Sequence, residues 1–204
     1  SKLSSVSDLA DDDLMELGEN TTHELQKQCV ISTARGGSTY VNTTIDLFNC
    51  RILTTNLGDS EAWFAYEDAE GKTQLVQLHS CLHHVDNSDE VARLKRAGRK
   101  LTEYTTTHQD GTTSKYLRLG EYGGLLVTRS LGDNRLEREG LVHQPSINIF
   151  SYAHLLGANN LRVILRSDGF STPKGKKVEE VLSSKLNKHE NRTRTDLLAK
   201  QLLE

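Results

Sequence analysis

The chain has 204 residues, with 25 Lys and Arg against 28 Asp and Glu, a net charge of −3, 35% hydrophobic residues and 5% aromatics. These figures fit one soluble α/β or α+β domain, and 15 Gly, 2 Pro and 3 Cys exclude collagen-like, coiled-coil and disulfide-scaffold classes. The acidic balance argues against a general nucleic-acid binder, and no apolar run approaches the roughly 18 residues of a membrane span.

Acids dominate residues 1–30 (Asp8, Asp11, Asp12, Asp13, Glu16, Glu19 and Glu24 against Lys2 and Lys27). That start lacks the basic and apolar segments of a secretory signal, so an intracellular, cytoplasmic protein is expected. Cys29, Cys50 and Cys81 are odd in number and lack zinc spacing, which predicts reduced, buried thiols.

In chain order, Asp11 to Gln28 has helical composition with Leu14, Leu17 and Leu25 loosely on one face, and Gly18-Glu19-Asn20 is a candidate interruption. From Gly37 the period becomes two: Val41, Thr43, Ile45 and Leu47 mark one side of a strand expected to pair with Arg51 to Leu57. Glu61 to Tyr66 and Thr73 to Leu78 are two further strands around a turn that contains Asp68 and Gly71. Ser88 is the expected cap of a short helix carrying Val91, Leu94 and Ala97, stopped at Gly98. Asp110-Gly111 predicts a hairpin between Leu101 to His108 and Thr112 to Leu119, and Gly124 to Thr128 is read as another strand. Ile147 to Phe150 and Leu161 to Leu165 complete the strands, the latter read as buried. Val178, Val181, Leu182 and Leu186 mark one amphipathic helix, and Leu197, Leu198 and Leu202 another. Consecutive antiparallel strands with inserted helices predict a layered α+β fold, not a doubly wound one.

Four short segments are candidates for chemistry. Gly36-Gly37-Ser38-Thr39 lacks the Lys of a P-loop and reads as a tight turn that starts a strand. Gly58-Asp59-Ser60, taken alone, is a hairpin turn. Thr128 to Asp133 reads as a strand end and turn in which Asp133 caps its own backbone. Ser167-Asp168-Gly169 follows an apolar strand directly, which suits a carboxylate that holds a hard cation through oxygen, although a helix cap or turn is the simpler role. His83-His84, in a polar stretch, reads as a surface pair, and no HExxH or GxSxG motif is present.

In order and spacing, Gly37-Ser38-Thr39, Asn56 to Ala62, Asp89 to Arg93 with Gly98, Leu125 to Asp133 and Val163 to Phe170 resemble the metal-dependent type 2C serine/threonine protein phosphatases over roughly residues 30 to 200. The resemblance implies a layered α-β-β-α sandwich of two antiparallel sheets flanked by helices. It also implies a binuclear Mg²⁺ or Mn²⁺ centre whose bridging water attacks phosphorus. By the match, Asp168 is a core metal ligand and Asp59 a ligand of a weaker, third site, with a structural role for Asp133. The family's DGHGG segment, its phosphate-binding arginine and its final DN pair have no counterpart in these residues, and Arg166 stands where the family has a small residue. The expectation is one phosphatase-like domain over 1–204, an acidic helical lead-in at 1–30 and a sandwich core at 31–204, without the first and last strands. It would act on a phosphoprotein substrate. The alternative is an inactive phosphatase-like module that binds and regulates a protein partner, through the flap-like region from Ser80 to Gly124.

Overall fold

The computed structural model describes residues 9–31, 36–107, 111, 113–120, 124–169 and 176–187. Helix α1 (Asp11–Ile31) opens with Asp11, Asp12 and Asp13, acids placed where the exposed backbone N–H groups of a first helical turn favour negative charge. It runs without interruption through Gly18, contrary to the sequence expectation. The glycine is there for contact: a Cβ would stand 2.8 Å from Thr55 Oγ1 and 3.1 Å from Ile147 Cδ1. The buried stripe of α1 is Leu14, Gly18, Thr22 and Gln26, spaced by four, whereas Leu17 and Leu25 are exposed.

Two three-stranded antiparallel sheets follow. In the first, β2 (Tyr40–Asp46) and β9 (Ser146–Ser151) flank β3 (Arg51–Leu57). In the second, β10 (Asn159–Arg166) and β5 (Thr73–Gln77) flank β4 (Glu61–Glu67). The pleat divides β4 between two interiors. Ala62 and Phe64 join Ile52, Leu78, Tyr152 and Leu155 in the core between the sheets. Trp63 and Ala65 face the other way, onto Leu182 and Leu186 of helix α3 (Val178–Leu186). With α1 against β3 and β9, the order of layers is α1, sheet, sheet, α3, an α+β sandwich as the sequence predicts. Each of these fully buried Leu and Phe side chains contributes roughly 1.5–3 kcal/mol.

The β2–β3 turn is built on Asp46, which accepts hydrogen bonds from the Phe48 and Asn49 amides and from the Asn49 and Arg51 side chains. These donors, Asn49 first, hold its carboxyl down at about 2. Arg51 also reaches Asp11 and the Leu9 carbonyl, so one guanidinium joins the start of α1 to the hairpin. Leu47 falls in this turn, beyond the strand, and is exposed.

A satellite cluster of Leu94, Leu119, Leu136 and Leu141 joins α2 (Ser88–Arg96) to the hairpin of β6 (Leu101–Thr107) and β7 (Thr113–Leu119). The cap of α2 is Asn87, not Ser88: its side chain accepts from the Asp89 amide. Gly124 to Thr128 forms no strand; Leu125 and Val127 make isolated bridges to Leu119 and His84. Among the described strands β10, expected to be buried, lies at the edge of its sheet, with Leu161 and Leu165 exposed. The three cysteines, expected to be buried, are only half-buried. No helix among the described residues is long and apolar enough to cross a membrane. His108, Asp110 and Thr112 of the predicted hairpin and the predicted helix of Leu197, Leu198 and Leu202 lie outside the described residues.

Candidate active site

At the end of β3 the chain turns through Gly58, whose φ of +105° favours glycine. A side chain is excluded there by space as well, since a Cβ would stand 2.4 Å from Thr39 Cγ2. Ser60 Oγ and Thr39 Oγ1 are 2.8 Å apart, which ties the GDS turn to the segment that follows Gly37-Ser38. The turn is further fixed by His83. The Gly58 amide donates to His83 Nδ1 at 3.0 Å, the His83 amide donates back to the Gly58 carbonyl at 2.9 Å, and His83 Nε2 lies 2.8 Å from Ser146 Oγ. An imidazole that accepts at Nδ1 carries its proton on Nε2, so it donates to Ser146. Burial, with the charge of Arg129 adding to it, lowers the His83 pKa to about 4, in keeping with a neutral ring. His83 is therefore a fully buried strut and not half of a surface pair.

The SDG segment is brought to this turn by strand register. Strands β4 and β10 pair antiparallel through Ile164↔Trp63, Leu165↔Ala62 and finally Arg166↔Glu61. Asp59 and Asp168 each lie two residues past that last pair, on opposite chains. Asp59 is half-buried and Asp168 exposed. The Asp59 pKa is raised, first by burial and then by the negative charge of Asp168, with Glu61 adding and His84 opposing. The two carboxylates singled out in the sequence thus stand within electrostatic reach of each other.

The last ladder pair is itself an ion pair. Arg166 donates through Nε and Nη2 to the two oxygens of Glu61, and Trp63 Nε1 donates to Glu61 Oε2 at 2.8 Å. Burial works to raise the Glu61 carboxyl, but the Arg166 and Trp63 hydrogen bonds outweigh it and keep the pKa below the ordinary range.

A second hub joins α2 to the TRSLGD segment. Glu90, 2% exposed, accepts from Arg93, from Thr128 Oγ1 at 2.6 Å and from Arg129. Burial opposes its ionisation, yet the bonds from Arg129, Thr128 and Arg93 bring its pKa down to about 2. Next along the segment, β8 (Leu131–Gly132) pairs with β1 (Gly37–Ser38). Asp133 does not cap its own backbone. It sits in the left-handed region at φ +52° and accepts from Ser130 Oγ at 3.1 Å, in a space that a Cβ on Gly37 would occupy. Gln26 of α1 clasps the same turn, accepting from the Gly132 amide and donating to Asn134.

A cavity of about 440 Å³ opens between α1 and the Val142–Pro145 segment, lined by Glu19, His23, Gln26 and His143 among others; neither Asp59 nor Asp168 lines it. Among the described residues no group of three or more His, Cys, Asp or Glu side chains converges to hold a metal. A pair of like charges on oxygen ligands nevertheless fits a hard divalent cation, which relieves their repulsion.

A family model described as protein phosphatase 2C matches residues 2–202. The chain belongs to the protein phosphatase 2C family. Among relatives, a probable protein phosphatase 2C 12 of Oryza sativa subsp. japonica is 33% identical over 118 residues, 58% of this chain and 28% of the relative. A probable protein phosphatase 2C 61 of Arabidopsis thaliana is 27% identical over 119 residues, 58% of this chain and 34% of that protein. The chain therefore matches about a third or less of either relative's length. Among solved structures, a serine-threonine phosphatase 2C from Toxoplasma gondii superposes with a TM-score of 0.63 at 18% identity, over 97% of this chain and 66% of that one. A C. elegans sex determining protein gives 0.60 at 20% identity, over 100% and 44%. At these identities the structural likeness speaks for the fold, and the fold is that of the phosphatase 2C sandwich.

Sequence reasoning singled out Asp59 and Asp168, which the structure brings within electrostatic reach of each other, and the three motif segments. It missed His83, Glu90 as the hub of the arginines, and the Glu61–Arg166 pair, although Arg166 stood out as unusual for the family.

Proposed function

We propose that this chain carries part of the active centre of a Mg²⁺- or Mn²⁺-dependent phosphoserine/phosphothreonine protein phosphatase, with Asp59 and Asp168 as cation ligands. The observation that carries the reading is the β4–β10 register, which sets the GDS and SDG carboxylates two residues past the same last ladder pair in a phosphatase 2C chain, where burial and then the charge of Asp168 raise the pKa of Asp59. A divalent cation bound there supplies charge neutralisation and an acidified water for attack on phosphorus. The chain's own contribution is to hold the two carboxylates at one end of the β4–β10 ladder, Asp59 half-buried and Asp168 open to solvent, so that a phosphoprotein's phosphoryl group meets fixed ligands. The whole chain is read as one phosphatase-like domain of a cytoplasmic protein, with 1–30 as its acidic lead-in and 31–204 as its core.

The second reading is a catalytically inactive phosphatase-like module that binds a protein partner. It is favoured by the ligand set, since no third His, Cys, Asp or Glu joins the two aspartates among the described residues. Hydrolysis of para-nitrophenyl phosphate by the purified chain, in Mn²⁺ and in chelator, separates the two. Metal-dependent turnover that is lost in Asp168→Asn supports the enzyme; turnover equal in chelator, or unaffected by the substitution, refutes it.

A further inference from the structure

The Asp59 turn is anchored from several directions, through His83, Thr39 and the Asn56 side chain, which donates to the Ser60 carbonyl. Asp168 has a different setting. It is exposed and follows an edge strand whose only partner among the described strands is β4. The ladder carries an irregularity between Asn159 and Arg162. Two carboxylates of like charge near each other also tend to part unless something holds their chains together. The last pair of the ladder before them is Glu61–Arg166.

We propose that the Glu61–Arg166 ion pair is a positioning staple, which sets the approach of Asp168 to Asp59 and so tunes cation affinity at the two carboxylates. This rests on the reading of those carboxylates as cation ligands. Three features suit the pair to the role. It is two-pronged, with Nε and Nη2 of Arg166 on opposite oxygens of Glu61, so it fixes orientation as well as distance. It is sheltered, with side-chain exposures of 13% for Arg166 and 8% for Glu61, so salt and water weaken it little. It is anchored, because Trp63 donates to Glu61 and is itself packed with Leu182 and Leu186 of α3.

Charge gives the pair a second effect. Glu61 is a negative group two residues from Asp59, and Arg166 neutralises it through both carboxylate oxygens. Without Arg166, Glu61 adds to the repulsion inside the site. Without Glu61, the cross-strand bond at the end of the ladder is lost. Either single loss weakens cation binding, and a reversed pair keeps the cross-strand ion pair while giving up only the Trp63 bond.

The test is calorimetric Mn²⁺ titration of the full chain, with Arg166→Met and with the doubly substituted Glu61→Arg/Arg166→Glu, alongside backbone hydrogen exchange in chelator. Losing a group bonded directly to a metal ligand weakens affinity about 10–100-fold, and a staple that acts through the strand ends belongs at the lower end of that range. Arg166→Met is therefore expected to raise the Mn²⁺ Kd about 10-fold, and the reversed pair to recover to within roughly 3-fold of the wild type. In chelator, the amides at the Glu61 and Arg166 ends of the ladder exchange faster in Arg166→Met and return toward wild type in the reversed pair. Wild-type affinity in Arg166→Met, or unchanged exchange at the ladder end, overturns the proposal. Failure of the wild-type chain to bind Mn²⁺ overturns the cation reading and the tuning role with it. The chelator exchange, which needs no metal, still distinguishes a staple without a cation from no staple.

Discussion

Glu90→Gln removes the charge at the centre of the α2 hub while nearly preserving its shape. The wild-type carboxylate is 2% exposed and accepts from two guanidiniums and a threonine hydroxyl. Breaking a buried pair by removing one partner costs about 3–5 kcal/mol, because the other charge stays behind uncompensated. Titration gives a second route to the magnitude. The pKa falls from 4.5 to about 2 on folding, which corresponds to about 3 kcal/mol. A folded pKa below the unfolded value means the stabilisation is complete above about pH 5 and is lost as pH falls toward 2. Urea unfolding of wild type and variant at pH 7, 5, 4 and 3 is the assay. The variant is expected to be about 3 kcal/mol less stable at pH 7, a fall of roughly 6–12 °C in Tm for a chain of this size, and the difference to narrow to about 1 kcal/mol at pH 3. A difference below about 1 kcal/mol at pH 7, or one that does not change between pH 7 and pH 3, refutes the reasoning.

Two further substitutions and titrations follow from buried contacts. The His83 ring, followed by the NMR shift of its Cε1 proton, is expected to stay neutral down to about pH 4; a midpoint near 6.5 contradicts the strut. Because the folded chain binds fewer protons than the unfolded one between pH 6.5 and about 4, the His83 contribution to stability falls as pH drops through that window. His83→Phe strands the Gly58 amide and is expected to destabilise by about 1–3 kcal/mol in urea unfolding. Gly18→Ala improves helix propensity by up to about 1 kcal/mol, yet its Cβ meets Thr55 and Ile147 of the sheet. Overpacking there is expected to win, with a net loss of about 1 kcal/mol; a rise in Tm shows that α1 can lift off the sheet at no penalty.

Elements whose cause is local could be read directly from the chain. The short strands β2 to β5, the turn at Asp68 and the Gly98 stop of α2 depend on neighbours in sequence, and apart from Leu47 they fall close to where the sequence puts them. Helix α1 was found but its buried side was misjudged. The stripe that meets the sheet mixes Leu14 with Gly18, Thr22 and Gln26, so hydrophobicity does not mark it. Contact with Thr55 and Ile147 decides that face, and those residues are far along the chain. The same reason explains β10. An apolar run from Leu161 to Leu165 reads alike in a central strand and at an edge, and only the sheet order tells them apart.

The site shows the same division, with one instructive exception. His83 reaches the GDS turn through a backbone amide 25 residues away, which no side-chain pattern records. Glu90 meets Thr128 across 38 residues and Arg129 across 39, so the hub appears only when α2 folds onto the TRSLGD segment. The Glu61–Arg166 pair is different, because its signal was present. Glu61 lies two residues after Asp59 and Arg166 two residues before Asp168. If two strands leave two motif aspartates antiparallel, residues at mirrored offsets become cross-strand partners, and opposite charges at those offsets become a bond. The same arithmetic places the aspartates opposite each other past the ladder's end, where like charges need either a cation or a firm frame. The charge pair that departs from the family pattern at Arg166 thus stands at the position from which a frame for those two carboxylates can be built.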